Sequence, residues 1–267
     1  MMKILLNLIC RKTVSLRFIV ILLVVPFFSP VVADNLKIAA SWAKPPYIIP
    51  QTHSGFEIEL ITDLFKDLNH DVKFVYMPYD RAVEMLQSKQ ADVALTLNNS
   101  SGIAPEYLSD VYVFYQNVAL SLKSKKLNIE HLQDLSTYRV VGFQSASHVL
   151  GDEFAAAIEN NKLYIEIADQ KRQLELLLNE QVDVIIIDIN VFHYLSFELT
   201  GSDQFKKIAV HPFFAPSRYS AGFKNLTLKK QFNQTLGKYV SSGRYEVLKA
   251  KYNFKDIKPI IKRFPID

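Results

Sequence analysis

The chain has 267 residues, 49% of them hydrophobic, with 31 Lys and Arg against 27 Asp and Glu. Four of the basic residues (Lys3, Arg11, Lys12 and Arg17) fall in an N-terminal stretch without acids, and beyond it the count balances at 27 against 27. A neutral body argues against a nucleic-acid or polybasic membrane-surface role. The single cysteine, Cys10, leaves the rest of the chain without a disulfide, a thiol nucleophile or a cysteine metal site.

In chain order, the basic start leads into Phe18–Phe28, an apolar run of 11 residues, and then the small-residue exit Val31-Val32-Ala33. A bilayer span needs roughly 20 apolar residues, so this pattern predicts a secretory signal over residues 1–33, cut after Ala33. Cys10 precedes the apolar run and is not placed to accept a lipid. Leu36–Ala40 reads as a strand, and Ser41–Tyr47 as a loop, because Pro45-Pro46 extends neither a helix nor a central strand. Phe56–Leu68 is an amphipathic helix with Ile61, Leu64, Phe65 and Leu68 on one face. Val72–Met77 is a strand ended by Pro78, and Asp80 is the expected cap of the next helix. Asp92–Leu97 is a buried strand that empties into the polar loop Asn98–Gly102. Ligands of open α/β sheets lie outside the carboxyl ends of the strands, although Asn-Asn-Ser-Ser is also ordinary turn chemistry.

Val111–Lys123 is too long for one average strand, and a bend near Gln116-Asn117 makes it a crossover. Ile129–Leu135 reads as a short helix, Arg139–Phe143 as a strand, Gln144–His148 as a polar turn and Val149–Ile158 as a helix. Strands follow at Leu163–Ile167 and Lys207–His211, with a helix at Asn190–Leu199 between them. Ser217–Phe223 is the expected return crossover, followed by helices near Thr227–Val240 and Gly243–Tyr252. The alternation predicts an α/β protein with largely parallel sheets.

One pattern occurs twice. Arg81–Leu95 aligns with Arg172–Ile186 without a gap, and Arg81/Arg172, Glu84/Glu175, Leu86/Leu177, Gln90/Gln181, Asp92/Asp183 and Val93/Val184 are identical pairs. Two copies are too few for a solenoid, so the self-match predicts two related lobes across a cleft. The plainer explanation is that helix-turn-strand units look alike in any α/β protein. The expected first lobe is 34–116 plus 219–267, and the second is 117–218.

Four stretches carry a family likeness. They are Gly55–Leu60 (GFEIEL), Gln90–Val93 (QADV), Val140–Ser147 (VVGFQSAS) and Ser242–Tyr252 (SGRYEVLKAKY). Together they resemble the periplasmic solute-binding proteins of the polar amino-acid type, family 3. The resemblance implies the type II periplasmic binding fold, two α/β lobes joined by two crossover strands, closing on a small ligand. It implies aromatic walls near Trp42 or Tyr47 and at Tyr79. First-lobe polar contacts map to Thr96, Asn98 and Asn99, second-lobe contacts to Ser145 and Ser147, and the acid for a ligand ammonium group to Asp188.

The chain departs from the family at one important place. Ala104-Pro105-Glu106-Tyr107 stands where the family usually ends the segment with an arginine that grips a ligand carboxylate through two hydrogen bonds. Arg81, Lys44 and Arg218 are the candidate replacements, though the recurrence of Arg81 as Arg172 suggests a structural pairing. Asp188 after an apolar strand is costly without a partner: a ligand cation or the helix near Asn190 supplies one. Trp42, Tyr47 and Tyr79 stack on a ligand or pack in the core.

No paired metal-ligand spacing, nucleophile elbow or phosphate loop occurs, so neither catalytic nor metal residues nor a cofactor are expected. His148 beside the second-lobe turn is a surface or core histidine on the plainer reading. The expectation is a monomeric periplasmic binding protein that delivers a small polar solute to an ABC permease. The alternatives are a sensor signalling to a membrane receptor and a dehydratase-like enzyme on the same fold.

Overall fold

In the computed structural model of the chain, residues 35–255 are described. The expected secretory signal and the tail 256–267 lie outside the described residues. Ten strands form two five-stranded sheets. The first sheet holds β1 (Asn35–Ser41), β2 (Asp71–Met77), β3 (Val93–Leu97), β4 (Leu108–Tyr115) and β10 (Ser217–Phe223), ordered β2-β1-β3-β10-β4. The second holds β5 (Asn117–Leu122), β6 (Val140–Phe143), β7 (Tyr164–Ile167), β8 (Val184–Asp188) and β9 (Ile208–His211), ordered β7-β6-β8-β5-β9.

The two sheets share a plan. In the first, β2, β1 and β3 run parallel, β10 runs antiparallel to β3, and β4 antiparallel to β10. In the second, β7, β6 and β8 run parallel, β5 antiparallel to β8, and β9 antiparallel to β5. Each sheet is therefore mixed, where the alternation of elements predicted largely parallel sheets. The antiparallel strands β5 and β10 are those reached directly from the other sheet. Only Gln116 separates β4 from β5, and β10 returns the chain to the first sheet.

The self-match has a structural cause. Its first copy forms α2 (Tyr79–Gln87) and β3, and its second forms α5 (Gln170–Leu178) and β8. Each helix exits through a residue in the left-handed region, Lys89 at φ 60° and Glu180 at φ 59°. The aspartate that follows then clips the neighbouring strand at its entry. Asp92 accepts the N–H of Lys37 at 2.8 Å and donates its own N–H to the carbonyl of Lys37 at 2.8 Å. Asp183 exchanges the same pair of bonds with Arg139, at 2.9 Å each. Arg81–Glu84 and Arg172–Glu175 are equivalent exposed ion pairs one helical turn apart, at 2.6 and 3.1 Å.

Helices α1 (Phe56–Asp67), α7 (Leu226–Ser241) and α8 (Arg244–Lys251) pack on the first sheet through buried residues such as Leu60, Ile61, Leu64, Phe232 and Leu236. The second sheet is covered by α4 (Asp152–Ile158), α5 and α6 (Ile189–Thr200) through Phe154, Leu174, Leu177 and Phe192. Three local expectations differ. Asp80 is no cap, because Pro78 occupies that position and Tyr79 already opens α2. The helix expected at Val149–Ile158 is two pieces, α3 (Ala146–Val149) and α4, separated at Gly151, whose φ of 90° ends the first. The short helix expected at Ile129–Leu135 is a 3₁₀ stretch over Leu132–Thr137.

Candidate functional site

The carboxyl ends of β1 and β8 meet through the loop that follows β1. That loop is held down on α1: Phe56 donates to the carbonyl of Pro46 and Glu57 to that of Tyr47, both at 2.9 Å. Gly55 allows this close approach. Its φ is 117°, and a Cβ there would lie 2.4 Å from the Tyr47 carbonyl oxygen. Tyr47 is thereby driven fully into the interior, stacked on Tyr115 with ring centroids 4.0 Å apart. Its hydroxyl crosses to the second sheet and donates to the Asp188 carboxylate at 3.1 Å, while the amide of Asn190 donates to it at 3.1 Å.

Asp188 is 2% exposed. Besides Tyr47, three backbone N–H groups donate to its carboxylate: Gln116 at 2.6 Å, Asn190 at 2.8 Å and Val191 at 3.0 Å. It caps α6, and protein donors occupy most of its acceptor capacity. Burial pushes its pKa up to about 6 and outweighs those four donors, which act to lower it.

A second buried carboxylate, Glu57, sits at the opening of α1. Tyr112 and Thr96 donate to one oxygen, and Tyr115 donates to the other at 2.6 Å. Two bulges aim these partners. β4 carries Tyr112 as an extra residue between Val111 and Val113 opposite Ser220 and Tyr219, which brings Tyr112 and Tyr115 to one face. β3 is also irregular between Ala94 and Leu97, and there Thr96 takes φ 60° and gives its N–H to the Tyr112 hydroxyl at 2.9 Å. A β-branched residue in that region is strained, and here two side-chain partners hold it. Burial raises the Glu57 pKa and lowers that of Lys44, which is pulled back by Glu57 first and Asp188 second. The Lys44 ammonium also lies 5.7 Å from the centre of the Tyr115 ring. The meeting point of the two sheets is thus two acids, one lysine and three tyrosines.

The turn after β6 presents a third acid. Glu166, at the end of β7, accepts the N–H groups of Ser145 at 2.7 Å and Ser147 at 2.8 Å and the Tyr164 hydroxyl at 2.8 Å. These bonds outweigh its partial burial and hold its pKa below the usual carboxylate range. The Tyr164 hydroxyl is seated over Gly142, where a Cβ would lie 2.6 Å from it. On α5, Gln173 is fully buried, and its amide donates to the carbonyls of Val141 and Ile186. Its Oε1 has no partner among the described residues.

The sequence-predicted site residues divide accordingly. Tyr47 and Asp188 meet directly, and Thr96 is joined to them through Glu57 and Tyr115, all inside the protein. Trp42, by contrast, is 59% exposed at the end of β1, and Tyr79, beside Ser101, is 36% exposed at the end of β2. Asn98 is half-buried and turns its Oδ1 to the N–H of Ser100 at 3.0 Å, while Asn99 is exposed. Ser145 is exposed and Ser147 half-buried, with their N–H groups committed to Glu166. Arg81 is spent on Glu84 along the outer face of α2. Arg218 stacks on Phe114 at 5.9 Å. Two surface hollows lie apart from the carboxyl ends of the sheets, one bounded by Leu122, Leu178 and Gln204 and the other by the Arg81 face of α2. Among the described residues, no three His, Cys, Asp or Glu are grouped to hold a metal ion.

The residues missed from sequence were Glu57, Tyr112, Tyr115, Asn190 and Glu166. One signal for Glu57 was present: it falls in register with Leu60, Ile61 and Leu64 on the apolar stripe of α1. Nothing local to residues 164–167 announces that Glu166 reaches a turn twenty residues earlier.

The family model for bacterial extracellular solute-binding proteins, family 3, matches residues 36–256. No curated protein matches the chain. Among solved structures, a histidine kinase sensor domain with similarity to periplasmic binding proteins is 17% identical, with 82% of this chain and 96% of that one covered and a TM-score of 0.66. An ancestral arginine-binding protein bound to arginine is 20% identical, covering 82% of this chain and 98% of the other, with a TM-score of 0.64. A substrate-binding protein of an ABC uptake transporter from Streptococcus pneumoniae, with bound histidine, is 20% identical, with 84% and 94% covered and a TM-score of 0.64. At these identities the likeness carries the two-lobed fold.

Proposed function

Because the chain belongs to the bacterial extracellular solute-binding proteins of family 3, we propose that it captures a small polar solute between its two lobes and closes on it. The lobes divide as 34–116 plus 219–267 and 117–218, and the protein works in the periplasm as a monomer that hands its solute to a membrane permease. The observation that carries this is the meeting of two like-built sheets at their carboxyl ends, where Tyr47 of one reaches Asp188 of the other. A ligand touching both lobes favours the closed arrangement by the contacts it makes only there. We assign the ligand-facing surface to Trp42, Tyr79, Asn98, Asn99, Ser145 and Ser147, with Tyr47, Thr96 and Asp188 forming the floor behind it.

The test is a thermal-shift screen of amino acids, amines and small organic acids on the purified protein. A ligand at 100 times its dissociation constant adds about 2.7 kcal/mol to stability, so a true ligand raises the melting temperature by several degrees. No shift across the three classes overturns the proposal. A second reading, a periplasmic sensor, is supported by the histidine kinase sensor domain among the structural relatives. The same ligand serves both readings, and co-purification with a permease or with a receptor kinase separates them.

A further inference from the structure

Three acids lie near the proposed cleft, two of them buried and one, Glu166, half-buried. Glu57, Asp188 and Glu166 lie at or behind the carboxyl ends of the strands, and Lys44 faces two of them. Arg81 and Arg218 are engaged elsewhere, with Glu84 and the Phe114 ring. Tyr107 does not restore the missing arginine. It precedes β4, whose first residue, Leu108, is level with Gly222, and Gly222 is level with Ala94 near the start of β3. That is the end of the sheet away from the Asn98 loop.

Glu166 adds a second, independent observation. Two N–H groups of a turn at the end of a parallel strand are good donors to an anion, and here the protein fills them with its own carboxylate. The arrangement is built rather than incidental. Three donors hold the group, Tyr164 is positioned by the absence of a side chain at Gly142, and Glu166 and Gly142 are register partners on adjacent strands. Glu166 remains only half-buried, so its carboxylate is not sealed from solvent. Trp42 and Tyr79, exposed at the ends of β1 and β2, offer the ring faces that attract a cation.

Building on the solute-binding proposal, we propose that Glu166 is a specificity-determining residue of the second lobe: its carboxylate occupies the Ser145 and Ser147 donors, excludes a carboxylate on the solute, and selects a cationic amine that lacks one. An amino acid brings a carboxylate that meets Glu166 with like charge and finds a tyrosine, Tyr107, where the family has its arginine. Its decarboxylated amine keeps the cation and loses the conflict.

Matched pairs test this: L-arginine against agmatine and L-tyrosine against tyramine, by calorimetry on the wild type, Glu166→Gln and Glu166→Ala. In the wild type at least one amine binds more tightly than its parent amino acid by about tenfold or more, and that preference shrinks in both variants. Equal or tighter binding of the amino acids by the wild type overturns the proposal, as does an unchanged preference in both variants. A ligand-independent arm follows the Ser145 and Ser147 amide resonances during titration with sodium acetate, against sodium chloride as control. The expected result is no acetate-specific change in the wild type and a saturable one in Glu166→Ala. Movement in the wild type, or in neither protein, overturns the role of Glu166. If the acetate arm behaves as expected while no amine or amino acid binds, the choice of an amine is overturned, and the failure lies with the solute rather than with Glu166.

Discussion

Asp188 shows how much one side chain's surroundings decide. Its carboxyl is raised from 3.8 to about 6 by burial, so the folded protein holds that proton more tightly than the unfolded chain. The stabilisation is therefore complete below the unfolded value and is lost as pH rises through about 6. Between pH 7 and pH 5 this group alone adds about 1 kcal/mol. The half-buried rings of His193 and His211 have pKa values lowered by that burial and act in the opposite direction as pH falls below their ordinary 6.5, so the comparison must be with a variant. Urea denaturation at pH 7 and pH 5 is expected to show that Asp188→Asn lacks about 1 kcal/mol of the wild type's change; parallel pH responses would disprove it. Asp188→Ala is a harsher change. It removes a helix cap and takes away the carboxylate to which the Gln116 N–H and the Tyr47 hydroxyl donate, and is expected to cost about 2–4 kcal/mol at pH 7 in the same measurement. Sequence alone offered Asp188 two partners, a ligand cation or the N-terminus of a helix. The helix partner is visible in the structure, and so is Tyr47, which lies 141 positions away and has no sequence signature.

At the scale of elements, the chain's plan was readable wherever a local rule governed it. The repeated helix-turn-strand unit was visible because both copies need the same apolar face, the same left-handed exit and the same aspartate clip on a neighbouring strand. Features set by neighbours were not readable. The two copies cap their helices differently, Asp169 accepting from the Arg172 N–H in the second while Pro78 fills that position in the first. The bulges at Tyr112 and Thr96 arise from pairing with β10, which lies more than a hundred residues further along the chain. The β6 turn is similar, since its shape depends on β7. Gly142→Ala puts a Cβ 2.6 Å from the Tyr164 hydroxyl and 3.1 Å from the Ala146 Cβ. Overpacking of this kind costs about 1–3 kcal/mol, and the tyrosine must leave Glu166. The expected outcome is a lowered urea midpoint together with displaced Ser145 and Ser147 amide resonances, whereas Tyr164→Phe, which removes only the hydroxyl, gives a smaller loss of stability. Equal stability of Gly142→Ala and wild type would show that the seat is not tight.

For the whole molecule, what matters is how the two lobes are held before a solute arrives. The Tyr47 hydroxyl is a direct bond between them: it donates to Asp188 and receives the Asn190 amide. Nearby, the Lys255 N–H reaches the Asn190 Oδ1 at 2.8 Å. On the solute-binding proposal, we infer that such contacts bias the free protein toward an arrangement in which both lobes face one ligand. Apparent affinity scales with the fraction of molecules in that arrangement. A hydrogen bond of this kind contributes about 1 kcal/mol, equivalent to roughly a fivefold change in an equilibrium constant at 1.4 kcal/mol per decade. Tyr47→Phe keeps the stack on Tyr115 and removes only the bridge. It is therefore expected to weaken binding of the best amine from the matched panel by up to about fivefold, through the population of closed molecules and not through a lost ligand contact. Small-angle scattering separates the two causes: the ligand-free variant should be more extended than the wild type, and saturating ligand should bring both to the same dimensions. If weaker binding came without any change in the free form, Tyr47 would be touching the solute itself, and the wall would have to be redrawn to include it.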